Sequence, residues 1–247
     1  MILDLGFPVL LALAAVALLT GFLHGASGLA GGIVMASVLA HFVGIKSAVP
    51  AMTAALICSH LSRAIIYSGD TDWAIAKRVL LFGSPMIVVG ALVFSQISAT
   101  TIAIVFALFL MSSFPVRYWA ERHQIRTGPR LLAGASMIWG MLAGNVIGPG
   151  FFLAPFLLGT GMNRLTFVGT LASVTLVMNI LKLAVFSIAD LVSPELLVLG
   201  VVIGLLTIPG NWAGRAVLRR ATDRHHRATI DILTVLMIVN FVYLALQ

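Results

Sequence analysis

Two long apolar runs of this chain are each interrupted by a cluster of glycines. The first cluster, Gly21 to Gly32, lies inside the run from Ile2 to Phe42, and the second, Gly140 to Gly150, lies inside the run from Leu131 to Thr160. Glycine in the middle of a helix is unfavourable relative to alanine, so each cluster predicts a break in an otherwise helical segment. The breaks limit the architecture to one in which long apolar helices are interrupted twice.

The composition defines the medium in which these runs fold. Charged residues make up 9% of the chain, hydrophobic residues 60%, and the mean hydropathy is +1.10. Soluble domains carry about 25% charged residues, so the sequence predicts an integral membrane protein. The continuous runs favour helices over a barrel, whose strands alternate in hydropathy. The net charge of +7 then reports orientation, and no nucleic-acid partner is predicted. The single cysteine, Cys58, excludes an intramolecular disulfide.

The order of segments in the first half of the chain recurs in the second half. A broken run, a span that contains a buried cation and two further spans are followed each time by a basic stretch, 117–130 and then 215–227. When Gly21 is aligned with Gly140, Arg63 falls on Lys182. We therefore predict one membrane domain over residues 1–247. It consists of repeat one (1–119), a cytoplasmic linker (120–130) and repeat two (131–247).

The basic stretches determine the predicted orientation. Loops rich in Lys and Arg face the cytoplasm, so both basic stretches lie on the same side of the membrane. The broken run between them is too short for two full crossings and is predicted to be a re-entrant hairpin of two helices of about 13 to 15 residues each. The fold class is thus all-α, with two inverted repeats, each a broken or re-entrant helical hairpin plus three transmembrane helices. Both termini lie outside, and the location is the cell inner membrane.

The hairpin tips are the predicted binding site. Helices that begin at the tips would direct their N-termini and orphan amides inward, and both features favour an anion. The alternative is that the glycines only allow close helix packing. The residues predicted to bind substrate at the tips are His24, Gly25, Ser27, Gly28, Gly31, Gly32, Gly144, Asn145, Gly148 and Gly150.

Four side chains within the spans are further candidates. Arg63 and Lys182 either attract the anion or extend to the membrane surface with their long side chains. His24 and His60 are candidates for proton coupling, because imidazole titrates near neutral pH, although a membrane histidine also serves in packing. The sequence has no metal-ligand spacing and no nucleophile–base pair, so neither a metal, nor a cofactor, nor an enzymatic activity is predicted.

The glycine pattern resembles that of a known family. Gly21-x3-Gly25-x2-Gly28-x2-Gly31-Gly32 precedes an Ala-Val-Pro-Ala-x-Thr-Ala-Ala stretch that begins at Ala48, and the layout recurs after Gly140. This arrangement resembles the sulfite exporter TauE/SafE family, also called TSUP. The resemblance implies an inner-membrane carrier of sulfite, sulfonates or thiosulfate, with its site at the hairpin tips. The sequence departs from the family's triple glycine with Leu29-Ala30, and Phe151-Phe152 follows Gly150, which would suit a substrate with an organic portion.

The predicted function is a secondary transporter for a small sulfur-containing or organic anion that works by alternating access, with possible proton coupling. An anion channel on the same scaffold is one alternative, and a membrane-embedded enzyme or assembly subunit is another. The expected partners are the small anion, the lipid bilayer and, as a further option, a second copy of the chain.

Overall fold

A computed structural model describes residues 6–27, 29–218 and 223–246 of the chain, and it is all-helical. Six of its helices are long and apolar enough to cross a membrane: α1, α3, α4, α5, α8 and α9 in the numbering that follows. The helices are α1 (Gly6–Ser27), α2 (Gly31–Val43), α3 (Ile45–Ile66), α4 (Trp73–Gln96), α5 (Ala99–Arg122), α6 (Pro129–Asn145), α7 (Gly150–Leu158), α8 (Arg164–Ile188), α9 (Pro194–Leu218) and α10 (Asp223–Ala245), with a 3₁₀ turn at Ser68–Asp70.

The polar turns between the spans start the next helices. The carboxylate of Asp72 accepts hydrogen bonds from the amides of Ala74 and Ile75 at the beginning of α4, both at 3.0 Å. The side chain of Asn163 accepts from the Thr166 amide at the beginning of α8, also at 3.0 Å. Each side chain satisfies amides that have no carbonyl partner within the helix. The two caps therefore fix where α4 and α8 begin.

Both glycine clusters break the helix, as predicted, and the chain reverses direction after each. Gly31 lies against the backbone of Thr20 and His24, so α2 folds back along α1. At the second break, the Thr127 amide before α6 donates to the Gly159 carbonyl after α7 at 2.9 Å. The α6–α7 pair therefore returns to the end of the bundle at which it started.

The two arms of each hairpin are unequal, and the length of 13 to 15 residues predicted for each arm of the second hairpin is wrong for both of its arms. The first arms α1 and α6 have 22 and 17 residues, whereas the return arms α2 and α7 have 13 and 9. Helix α1 is longer because its apolar sequence extends back to Gly6. Helix α7 ends early at a turn that contains Gly159 and Gly161, the latter with φ of +90°.

Helix pairs from the two halves of the chain pack tightly along small residues. Helix α1 packs against α9 and α6 packs against α4, and α3 and α8 complete the centre. Gly210 and Gly214 of α9 lie against the backbone of α1, and Gly83 and Gly90 of α4 lie against α6. Small residues let helices approach closely in a membrane, where van der Waals contact drives association. The first half of the chain is therefore interleaved with the second.

Two helix pairs, α3–α8 and α5–α10, run antiparallel. The amide of Asp72, just after α3, donates to the Thr170 hydroxyl near the start of α8 at 3.0 Å. Phe106, near the start of α5, contacts Phe241, near the end of α10, with ring centroids 4.6 Å apart. The end of α3 thus meets the start of α8, and the start of α5 meets the end of α10.

The basic stretches are more helical than the predicted loops. Helix α5 continues to Arg122, so residues 123–128 alone connect it to α6, and α9 continues to Leu218. An ion pair of 3.9 Å joins Arg215, in the last turn of α9, to Asp70 in the 3₁₀ turn. This contact places the end of α3 and the end of α9 at the same end of the bundle.

Candidate functional site

A small cavity lies where the two broken helices meet. Its volume is about 20 Å³, which is room for about one water molecule. Both hairpins and helices α3 and α8 contribute to its wall. The lining residues are His24, Leu29, Gly32, Leu56, His60, Ile147, Gly148, Pro149, Gly150, Leu171, Thr175 and Met178.

The tips of the two hairpins contact each other at this cavity. A Cβ at Gly150 would lie 2.9 Å from Leu29, and a Cβ at Gly148 would lie 3.3 Å from Ile33. Gly148 also has φ of +81°, a conformation that side chains rarely adopt. The absence of side chains at Gly148 and Gly150 thus allows the tips to approach closely.

Helices α2 and α7 both begin at the cavity. Their N-cap residues, Ala30 and Pro149, form no side-chain cap with the helix amides. The N-terminus of a helix carries the positive end of the helix dipole. In α7, the amides of Phe151 and Phe152 donate to the carbonyls of Gly148 and Pro149 at 3.2 and 3.0 Å, so the dipole is the main source of positive potential at that end. Two such ends that converge on one cavity create an environment that favours negative charge.

The polar side of the cavity consists of two histidines backed by an arginine. The His24 and His60 rings are 5.0 Å apart between centroids, in an edge-to-face arrangement. Arg63 Nη1 donates toward His60 Nδ1 at 3.3 Å. All three side chains are buried. The structure thus brings together three of the predicted residues, of which His24 and His60 line the cavity and Arg63 stands behind them.

Three other predicted tip residues, Ser27, Asn145 and Gly31, support the breaks. The Ser27 hydroxyl donates to the Leu23 carbonyl at 2.6 Å and accepts from the amides of Leu29 and Ala30 at 3.2 Å. Asn145 donates to the Met141 carbonyl of its own helix at 2.9 Å. Gly31 packs against α1. These contacts hold the tips in shape, and these residues do not line the cavity described above.

The glycines Gly25 and Gly144 lie at helix crossings. A Cβ at Gly25 would clash with the Asn211 backbone on α9, and one at Gly144 would clash with the backbone of Gly90 and Ala91 on α4. The structure of Gly25 and Gly144 therefore agrees with the alternative that these glycines allow close helix packing. Gly32, Gly148 and Gly150 instead line the cavity, whereas Gly28 lies outside the described residues.

The side chain of Lys182, a residue of α8, lies against the C-terminal end of α6. Its ammonium donates to the carbonyl oxygens of Ala143 at 3.1 Å and Val146 at 3.0 Å. The ring centroids of Phe94 and Phe186 are 6.0 and 5.4 Å away. Lys182 is 1% exposed and Arg63 is 0% exposed, so the alternative that they extend to the membrane surface is wrong for both.

The sequence reasoning missed Asn211 of α9. This side chain is fully buried and donates to the Ser62 hydroxyl at 2.9 Å and to the Ser59 hydroxyl at 3.1 Å. A polar side chain within an apolar span is a signal that could have identified it. No cluster of three or more His, Cys, Asp or Glu side chains suited to a metal ion occurs within residues 6–27, 29–218 and 223–246.

The fold and the cavity define a class of protein. Several apolar spans, two helices broken in the bundle interior and a cavity at the breaks that is lined in part by buried histidines are features of membrane transporters. The family model for the sulfite exporter TauE/SafE matches residues 13–241, and the chain therefore belongs to this family.

The family match confirms the resemblance that the glycine pattern indicated. The protein is a multi-pass membrane transporter and not an enzyme, so the alternative of a membrane-embedded enzyme is excluded. No curated protein and no solved structure matches the chain.

Proposed function

We propose that the protein is a secondary transporter that moves a small sulfur-containing or organic anion across the cell inner membrane by alternating access. The observation that carries this proposal is the convergence of two uncapped helix N-termini, those of α2 and α7, on one buried cavity. In secondary transporters, half-helix N-termini at mid-membrane bind anionic substrate groups. Family membership supports a transported substrate, and the two helix N-termini with His24 and His60 at the cavity support an anion.

The proposal includes two inverted repeats, α1–α5 and α6–α10. Repeats of the same orientation would place equivalent helices parallel, whereas the contacts of Asp72 with Thr170 and of Phe106 with Phe241 require antiparallel pairs. The packing of α1 on α9 has its counterpart in the packing of α6 on α4. An inverted arrangement also puts one hairpin entrance on each face of the membrane, which is the geometry of alternating access.

The orientation of the chain is part of the same proposal. Both basic stretches and the 3₁₀ turn lie in the cytoplasm, and both termini lie outside. The ion pair between Asp70 and Arg215 supports a common side for the turn and the second basic stretch. Contact between Thr127 and Gly159 supports the re-entrant course of α6–α7.

In the proposed mechanism, the anion lies between the amides at the starts of α2 and α7. His24 and His60 provide ring N–H donors to it, and their capacity to exchange a proton makes them the coupling candidates. Thr175 also lines the cavity, and its hydroxyl donates to the Leu171 carbonyl of its own helix at 2.6 Å. The apolar wall of Leu56, Leu171 and Met178 would accommodate an organic portion of the substrate.

The small volume of the cavity favours a carrier over a channel. Its volume of about 20 Å³ admits a water molecule, but a sulfur oxyanion is larger than water. Binding therefore requires the tips to separate, and Leu29 and Ile33 are the side chains of the first hairpin that pack on Gly150 and Gly148. Opening toward one face while the contacts on the other remain closed would produce alternating access.

Flux measurements in proteoliposomes test the proposal. Purified protein is reconstituted, and the uptake of labelled sulfite, a short alkyl sulfonate and thiosulfate is followed with and without a pH gradient. We expect saturable uptake of at least one of these anions. Fast electrogenic flux without saturation would favour the channel alternative, and no specific flux of any of them would overturn the proposed substrate class.

Two histidine variants and one control variant test whether anion uptake depends on the cavity. His24→Gln and His60→Gln keep a polar side chain but remove a titratable ring, so we expect a strong loss of uptake and, for a coupled transporter, a loss of the response to the pH gradient. His123→Gln is the matched control, because His123 is exposed in the turn after α5 and its ring Nδ1 lies 2.9 Å from the Trp119 carbonyl. Equal uptake by all three variants would remove the histidines from the site.

A further inference from the structure

We propose that Arg63, Tyr67 and Arg215 form a second anion-binding position, the relay site, on the route between the central cavity and the membrane face that carries the 3₁₀ turn. The inference rests on the proposed transport of an anion. It adds a location that the anion occupies after leaving the cavity, and it assigns roles to Tyr67, Arg215 and Asp70, which the sequence did not single out.

The route begins at the cavity wall. His60 lines the cavity, and Arg63 lies one turn further along α3 with its Nη1 atom 3.3 Å from the His60 ring. Arg63 is fully buried, so its charge is directed to the protein interior and not to solvent. A buried guanidinium next to a cavity-lining side chain attracts an anion out of that cavity.

Tyr67 is the next group along the route. It follows Arg63 by one helical turn, and its amide donates to the Arg63 carbonyl at 2.9 Å. Its side chain is 0% exposed, and the guanidinium carbon of Arg215 lies 5.0 Å from the ring centroid. The Tyr67 ring therefore contacts a cation near the surface, and Tyr67 follows the buried Arg63 by one helical turn.

Arg215 completes the site at the surface end. Its side chain is 23% exposed and lies 3.9 Å from the Asp70 carboxylate, a loose pair. Its Nε atom is buried and has no hydrogen-bond partner among the residues that the structure describes. A guanidinium that stacks on a ring and retains a buried donor can bind an arriving anion in place of Asp70.

The corresponding half of the second repeat is built differently. Lys182 aligns with Arg63, but its ammonium already donates to two carbonyls of α6. Phe186 aligns with Tyr67 and packs against Phe94, with centroids 4.8 Å apart. We therefore propose the relay site for the side of Arg63.

The proposal predicts how an anion would pass. Competition between the anion and Asp70 for Arg215 releases the ion pair, and movement of the Tyr67 ring then joins the two guanidiniums into one site. Attraction by the guanidiniums would favour anions over cations of similar size along this route. A cationic reagent should therefore reach the position of Tyr67 more slowly than an anionic one.

Charge-selective labelling tests the relay site without relying on transport. In a Cys58→Ser background, Tyr67→Cys is labelled with sulfonatoethyl and trimethylammonioethyl methanethiosulfonate, and each rate is divided by the rate for a free thiol. We expect the anionic reagent to be favoured about tenfold. Arg215→Ala should abolish this preference, whereas Arg122→Ala, an exposed cation of the adjacent basic stretch, should leave it intact. Equal normalised rates for the two reagents would overturn the relay site.

Anion flux through proteins that retain Tyr67 is the second measurement. It tests the relay site even if the Tyr67→Cys variant does not fold. We expect Arg215→Ala to lower the maximal uptake rate severalfold while the apparent affinity at the cavity stays unchanged, and Arg122→Ala to behave as wild type. Wild-type flux with no difference between the two variants would overturn the relay site alone. Absence of any flux in the wild type would overturn the proposed function together with it.

Discussion

The ammonium of Lys182 lies 3.0 Å from the carbonyl oxygen of Val146, the residue at which α6 ends. The C-terminus of a helix carries the negative end of the dipole and carbonyls without partners, both unfavourable inside a membrane. Lys182 satisfies these carbonyls, while the positive N-terminus of α7 is left to face the cavity. The cation that looked like a substrate ligand in the sequence thus makes the helix break possible.

The first prediction concerns the stability that Lys182 provides. Lys182→Met keeps the length and apolar body of the side chain but leaves the carbonyls of Ala143 and Val146 without their donor. We expect a loss of about 2 to 4 kcal/mol in the free energy of unfolding, the cost of unmade bonds to a charged group in a buried site. Thermal unfolding in detergent measures this effect.

An exposed lysine provides the control for that experiment. Lys46 lies at the surface near the beginning of α3, and Lys46→Met should change the melting temperature little. Similar melting temperatures for the two variants would show that Lys182 does not stabilise the end of α6.

The second prediction compares two glycines of α6, one that packs against α4 and one that does not. Gly144→Ala would drive a methyl group into the backbone of α4, while Gly134 has nothing within 4 Å of its Cβ position. We expect Gly144→Ala to destabilise the protein by about 1 to 3 kcal/mol through overpacking. Gly134→Ala should stabilise it by about 0.5 to 1 kcal/mol, because alanine favours the helix.

Both glycine variants are compared by thermal unfolding and by flux at a temperature at which both are folded. A pure packing role for Gly144 predicts that the apparent affinity for the anion is retained in the folded fraction. An altered affinity with unchanged stability would instead return Gly144 to the binding site.

The sequence was sufficient to predict the helical class, the two breaks and four ionisable residues of the interior, His24, His60, Arg63 and Lys182. Apolar runs and glycine clusters are local signals, and a membrane forces the runs into helices. The pattern also identified His24 and His60, because ionisable side chains are costly in spans and therefore stand out. These inferences need only the identity of the medium and the rules of the backbone.

The site itself depends on contacts that local signals do not carry. Leu56, Leu171 and Met178 line the cavity, yet they resemble every other apolar residue of their spans. The roles of Gly25 and Gly32 differ because one faces α9 and the other faces the cavity, although both belong to the same glycine cluster. Which neighbour a glycine meets is set by the packing of distant helices.

The third prediction tests the narrowness of the cavity. At Gly32, a Cβ would lie 2.9 Å from a terminal methyl of Leu56 and 3.7 Å from His24 Cε1. The leucine tip can move aside, so Gly32→Ala should leave the unfolding temperature nearly unchanged. The added methyl occupies space in a cavity with room for about one water, and we expect a clear loss of anion affinity. Binding isotherms or uptake at several anion concentrations provide the measurement, and unchanged affinity would move the binding position away from Gly32.

The fourth prediction concerns topology. In a Cys58→Ser background, single cysteines at Ser95 and Ser193 should react with a membrane-impermeant thiol reagent added outside, and one at Arg126 only from inside. Ser95 lies in the last turn of α4 and Arg126 lies in the connection between α5 and α6, so one crossing by α5 separates them. Arg126 and Ser193 are separated by the hairpin α6–α7 and the crossing α8, so their labelling reports whether the hairpin returns to its starting face. Labelling of Arg126→Cys and Ser193→Cys from the same face would mean that α6–α7 crosses the membrane, and the inverted-repeat arrangement would have to be abandoned.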